Sequence, residues 1–208
     1  MALLYRATLK PTKMELISDW LPNQPWFRET EPFDLTSVGS FRFDDPDGKV
    51  GIETIVVAGE NAIYQVPLTY REAPLEGAEA LLITTMDHSV LGRRWVYDAV
   101  GDPVYVAELA KALLAGYPQV KQAVEENGKL VPLPESVHLV HTGTTDSSIP
   151  DITQLEIDTV EGVTSIHTGE LKLSINRVLE PVTSPTAQGF LTATWDGQDT
   201  PVLVAVAP

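Results

Sequence analysis

Hydrophobic and polar positions change period three times along this chain of 208 residues. Residues 3–9 read as a strand, broken at Lys10-Pro11. Met14, Ile17 and Leu21 then recur at helical spacing. Thr12, with Glu15 three residues on, fits a capping box, so a short helix is predicted up to about Leu21, where Pro22 ends it. Trp20, Trp26 and Phe27 follow closely, and three large aromatics there anchor the helix to a sheet. Strand patterning takes over at 37–43, 50–57 and 62–70. Asp45-Pro46-Asp47-Gly48 and Gly59-Glu60-Asn61 supply the turns, and 80–86 adds a further strand. The result is an antiparallel meander of four or so strands.

Helical spacing returns after Asp102-Pro103, an acidic cap before a proline at the first helical position. Val106, Leu109, Ala110 and Leu113 supply its buried face, and Gly116 and Pro118 stop it. A second short helix is expected over 119–126, ended by Asn127-Gly128. Beyond a polar stretch centred on Pro132-Leu133-Pro134 the pattern is β throughout: 137–142, 153–158, 163–167, 170–179, 190–195 and 202–206. Gly143, Gly162, Gly169 and Asp196-Gly197 mark the turns. The expected class is α+β, with a helix-packed antiparallel sheet over 1–128 and a mostly β part over 135–208. The join is either a domain boundary or a helical bridge between two sheets.

Charge changes the picture more than bulk composition does. Fourteen basic against 29 acidic residues give a formal net charge of −15 and a sequence pI near 4.5. Nucleic acid and anionic membranes both select basic surfaces, so neither is an expected partner. The chain has no cysteine, which removes disulfides, thiolate metal sites and a Cys nucleophile. No apolar run approaches the roughly 20 residues of a membrane span, and the first residues read as strand, not as a signal peptide. A cytoplasmic protein is the expectation.

Three segments, in collinear order along the chain, carry a further pattern. The first is Leu16-Ile17-Ser18-Asp19-Trp20-Leu21-Pro22-Asn23-Gln24-Pro25-Trp26-Phe27. The second is Tyr64-Gln65-Val66-Pro67-Leu68-Thr69-Tyr70-Arg71. The third is Gly92-Arg93-Arg94-Trp95-Val96-Tyr97-Asp98-Ala99-Val100-Gly101-Asp102-Pro103, a Tyr-Asp-Ala followed by Asp-Pro. Together they cover about residues 3–115 and resemble the N-terminal cap domain of actinobacterial maltokinase-type enzymes. The resemblance implies a curved, somewhat cystatin-like antiparallel sheet packed with helices. It also implies an origin near maltose, trehalose, glycogen or amino-sugar phosphorylation. One departure is Arg28-Glu29-Thr30, where the cap usually continues with a small residue, Gly and Lys. The larger one is the kinase itself. A phosphotransferase of that class needs a catalytic loop with a base Asp, a metal-binding Asn and a second metal-binding Asp. No His-Gly-Asp loop occurs, and the chain beyond the cap reads as strands.

The expected function is therefore a non-catalytic, cap-like protein, with no cofactor, that binds or regulates a sugar-metabolic enzyme and can form a homodimer. The alternative is a sugar- or nucleotide-binding protein or a diverged sugar kinase. Two clusters are the candidate ligand sites. Arg93, Arg94 and Trp95 could stack on a sugar or hold an anion; the plainer reading is solvated arginines at a hairpin turn. Thr144, Thr145 and Ser147 lie in a small polar turn, His141 to Ser148, that could be a decayed phosphate loop with Lys172 and Arg177 downstream. A single Gly there makes a poor phosphate cradle. Other constellations are weaker. His138 and His141 are three apart, on opposite faces of a strand. Ser89 follows His88, and neighbours on a strand point apart. Asp44, Asp45 and Asp47 lack a calcium-loop spacing, and Glu72, Glu76 and Glu79 read as a solvated loop.

Overall fold

A computed structural model describes residues 2–4, 7–126, 129–144, 148–152, 154–182 and 189–207. The chain is mostly β. Its described strands are β1 (Ala2–Leu4), β2 (Leu9–Lys10), β3 (Thr36–Asp44), β4 (Gly51–Ala58), β5 (Ile63–Arg71), β6 (Leu82–His88), β7 (Gly92–Asp98), β8 (Gln122–Glu126), β9 (Lys129–Pro132), β10 (His138–His141), β11 (Glu156–Val160), β12 (Val163–His167), β13 (Lys172–Asn176), β14 (Gly189–Trp195) and β15 (Gln198–Ala207). The helices are α1 (Lys13–Trp20) and α2 (Pro103–Ala115). An N-terminal antiparallel sheet runs β2-β6-β7-β5-β4-β3, and a C-terminal one runs β10-β14-β15-β13-β12-β11. A third, small sheet sets β8 between β1, in parallel, and β9.

Both helix ends follow the local chemistry of the sequence. The Thr12 side chain accepts from the Glu15 N–H, and the Glu15 carboxylate accepts from the Thr12 N–H at 2.7 Å. In α2 the Asp102 carboxylate accepts from the Val104 N–H at 3.0 Å, with Pro103 in the first turn. Gly116 then stops α2 in the left-handed conformation, φ 69°.

The N-terminal sheet is buried on both faces, so Ile52 to Val57 and Tyr64 to Leu68 are buried at every position, the polar Glu53, Thr54 and Gln65 included. Leu16, Ile17, Leu21 and Trp26 pack on one face against Ile55, Val57, Tyr64, Val66 and Leu68. Trp26 and Phe27 lie against the Tyr64 ring at 6.0 and 5.5 Å, so the aromatic segment does anchor α1 to the sheet. The opposite face shares one apolar cluster with α2 and the C-terminal sheet. Phe41, Ile52 and Val56 belong to it, as do Val106, Leu109 and Leu113, and Leu173, Ile175, Leu191 and Val204.

Three expectations are corrected. Residues 119–126 do not form a helix; Gln122–Glu126 is strand β8. Pro118 leaves that segment without a helix cap, and pairing with β1 and β9 satisfies its backbone instead. Residues 3–9 are not one strand, since β1 and β2 join different sheets, with residues 5–6 outside the described set. Lys129–Pro132, which leads into the stretch centred on Pro132-Leu133-Pro134 and to which the pattern assigns no element, is β9, a wholly exposed strand whose hydrogen-bonded partner, not burial, defines it.

Candidate functional site

The N-terminal sheet ends in a cleft of about 650 Å³ between the β3–β4 and β6–β7 hairpins. Register explains its floor. Arg42 on β3 pairs directly across from Glu53 on β4, and Tyr70 lies one strand further on, opposite Gly51. All three side chains project to the face that carries α1, whose first residue is Lys13. The result is a carboxylate with converging donors: Lys13 Nζ at 2.6 Å, the Tyr70 hydroxyl at 3.1 Å and an Arg42 Nη at 3.6 Å all approach Glu53 Oε2. Burial pushes the Glu53 carboxyl up, but Lys13 and Arg42 overcome it, helped by hydrogen bonds from Lys13 and Tyr70, and hold it below its ordinary value. Burial first, and then the Glu53 charge, push the Tyr70 hydroxyl well up, so it is a neutral donor at any physiological pH.

The two hairpins that wall the cleft are braced by their own side chains. Asp45 accepts from the Asp47, Lys49 and Val50 N–H groups at 3.0, 2.9 and 2.8 Å, while Gly48 takes a positive φ. That carboxylate is a turn staple. His88 Nδ1 accepts from the Val90 and Leu91 N–H groups, and the Ser89 hydroxyl accepts from the Thr8 N–H. Burial, then the positive charge of Arg94, lower the His88 pKa, and the neutral ring is the form that accepts these bonds.

Strand alternation divides the arginine cluster. Arg94 lines the cleft and donates to the Leu91 carbonyl at 2.7 Å. Arg93 and Trp95, one residue either side, point to the opposite face, with Arg93 largely exposed and 3.6 Å from Asp87. Thr144 lies elsewhere, at the C-terminal end of α2, where its N–H donates to the Leu114 carbonyl at 2.9 Å. Thr145 and Ser147 lie outside the described residues. Gly143 is explained by a close crossing, because a Cβ there would come within 2.7 Å of the Leu113 carbonyl oxygen. The end of a helix that meets this turn exposes carbonyls, which repel phosphate. Lys172 is exposed, and Arg177 is spent elsewhere.

Arg177 carries the main polar link between the sheets. Its guanidinium grips Asp98 of β7 with two bonds, 3.0 and 2.7 Å, while its Nε donates to Thr164 at 2.7 Å and its face lies 5.5 Å from the Trp26 ring. Arg177 is 2% exposed and Asp98 6%. Arg71 and Asp102 form a second two-bond pair, at 2.6 and 2.7 Å, so the Asp that caps α2 also ties it to β5. Sequence reasoning places Asp98, Arg71 and Asp102 in the right segments but gives none of them a partner. Nothing in the spacing joins residue 98 to residue 177. Glu29 stands out in the sequence only as a departure from the cap pattern. It fastens the turn after β4, accepting from the N–H groups of Glu60, Asn61 and Ala62 and from the Tyr64 hydroxyl. Burial pushes the Glu29 carboxyl up, yet these bonds bring it below its ordinary value.

Among the described residues, no group of three or more His, Asp or Glu is placed to hold a metal ion, and no helix is long and apolar enough to cross a membrane. The chain is thus a mostly β protein with an α1-backed sheet that opens on a mixed-charge cleft. Residues 20–102 match the family model of the maltokinase N-terminal cap domain. That segment runs from the last residue of α1 to the cap of α2. It takes in β3 to β7 and both arms of the Arg71–Asp102 pair, so the likeness to the cap rests on the N-terminal sheet. No curated protein matches the chain.

Proposed function

We propose that this chain is a non-catalytic, cap-like module that docks on and regulates an enzyme of maltose, trehalose, glycogen or amino-sugar metabolism in the cytoplasm. The match of residues 20–102 to the maltokinase cap carries this reading. Two enclosed ion pairs fit its non-catalytic side. Asp98, Arg177, Arg71 and Asp102 are each committed to two-bond ion pairs, which fix geometry but leave no proton or nucleophile to give away. The curved, cystatin-like form implied by the family and a homodimer belong to the same reading. Affinity capture from the source cells tests it. A sugar-metabolic enzyme should be retained at more than one ionic strength, and its repeated absence would overturn the proposal.

The cleft favours a second reading, a small-molecule binding protein. At about 650 Å³ it falls within the range of known ligand sites, roughly 300–1,000 Å³. A thermal-shift screen with ATP and magnesium, maltose, trehalose, glucose, glucosamine and their phosphates decides it. A ligand at 100 times its Kd stabilises by about 2.7 kcal/mol. A nucleotide shift would revive the diverged-kinase alternative, and silence across the panel would leave the docking module.

A further inference from the structure

We infer that the cleft at the hairpin end of the N-terminal sheet binds a small molecule through an oxyanion, a carboxylate or a phosphate, with Arg42, Lys13 and Arg94 as its receptors. The inference deepens the small-molecule reading and rests on it. The chain carries 14 basic residues against 29 acidic ones, yet four of the 14, Lys13, Arg42, Lys49 and Arg94, line this one cleft. The lining acids are Asp44, Asp45 and Glu72, with Glu53 buried beneath Lys13 and Arg42, and Asp45 has both oxygens occupied by backbone N–H groups of its turn. A cation would find no assembled carboxylate cage among the described residues.

Arg42 is the telling side chain. Arg71 and Arg177 each close a two-bond fork on one carboxylate. Arg42 is similarly enclosed, 14% exposed, but does not. Its contact with Glu53 is 3.6 Å, on an oxygen that Lys13 and Tyr70 approach more closely, and its buried Nε–H has no acceptor among the described residues. A buried guanidinium with donors unfilled is costly. An oxyanion entering the cleft provides the pair of oxygens that Arg42 lacks. Lys13, 34% exposed and one cation of a triad that holds a single buried carboxylate, adds to the attraction, and Arg94 faces the site from the opposite hairpin. Leu9, Met86 and Leu91 make the rest of the wall apolar, so the favoured ligand pairs its charge with a partly apolar body.

The test is a titration followed by NMR on the whole chain, reading the Arg42 Nε–H resonance (assigned by its loss in Arg42→Lys) and the amides of the two hairpins. The probes are inorganic phosphate, benzoate and maltose. Saturable shifts at Arg42 and in both hairpins are expected with benzoate, phosphate or both, and the stronger of the two names the head group. Arg42→Lys keeps the charge near Glu53, and Arg94→Gln alters only a half-buried position. Each should weaken binding about tenfold, the scale of one charged hydrogen bond. Arg93→Gln, on the opposite face, should leave it unchanged. Equal affinity in the Arg42, Arg94 and Arg93 variants would overturn the inference. Shifts with maltose alone would also overturn it while leaving a small-molecule protein. No shift with any probe would remove both.

Discussion

Glu53 shows how one side chain can set a stability profile. Its carboxyl is held below its ordinary value when folded, so it contributes stability that is present above the unfolded value and lost as pH falls through the folded one. We expect the native chain to lose stability on acidification from near pH 4.5 downward, and Glu53→Gln to flatten that fall, read from denaturant midpoints across pH. An unchanged acid limb in the variant would show that Glu53 is not its source. Asp98 makes a sharper case because its partner is almost sealed. Asp98→Asn leaves the Arg177 charge buried without a counter-charge, an expected loss of about 3–5 kcal/mol by urea unfolding. Replacing Arg177 by Met in the same chain should recover much of it, since what hurts is the orphaned charge and not the absence of a bond.

Among the elements, α2 is the one whose two ends the sequence specifies most fully. Asp102 does double duty there, accepting from the Val104 N–H and pairing with Arg71. Asp102→Ala should therefore cost more than the roughly 1 kcal/mol of an ordinary cap, whereas Thr12→Ala on the short α1 should cost about that much. Comparable losses in the two variants would mean that the Arg71 bond adds nothing. Caps and turns are legible in the sequence because their chemistry is local: Thr12 with Glu15, Asp102 with Pro103, Gly48 and Gly116 each act within a few residues. The strand over 122–126 is only half legible: one partner, β9, follows it directly in the chain, but the other, β1, pairs with it in parallel from more than a hundred residues earlier. The cleft escapes for the same reason. Arg42, Glu53 and Tyr70 become neighbours through register, which no spacing along the chain records. Arg94 stands out on sequence grounds, but strand alternation separates it from Arg93 and Trp95, its neighbours in the chain.

Across the whole molecule, the apolar cluster that covers the inner face of the N-terminal sheet draws on both halves of the chain. Gln65 adds a polar stitch, its side-chain amide donating to the Asn176 and Val204 carbonyls. One cooperative thermal transition is expected for the full chain. A fragment of residues 1–128 should melt without cooperativity and bind a hydrophobic dye, and a fragment that folds by itself would establish the two halves as independent.

The same shared cluster sets a timetable for synthesis. Phe41, Ile52 and Val56 leave the ribosome long before Leu191 and Val204, which help to cover them. Some 140 residues separate the middle of β4 from β15, and at about 5–20 residues per second the inner face of the first sheet waits roughly 7–28 seconds for its lid. During that interval the nascent chain presents a broad apolar surface edged by unpaired strands. Shielding of that surface, by chaperones or by slow expression at low temperature, is then expected to raise the yield of folded chain, measured as the soluble fraction.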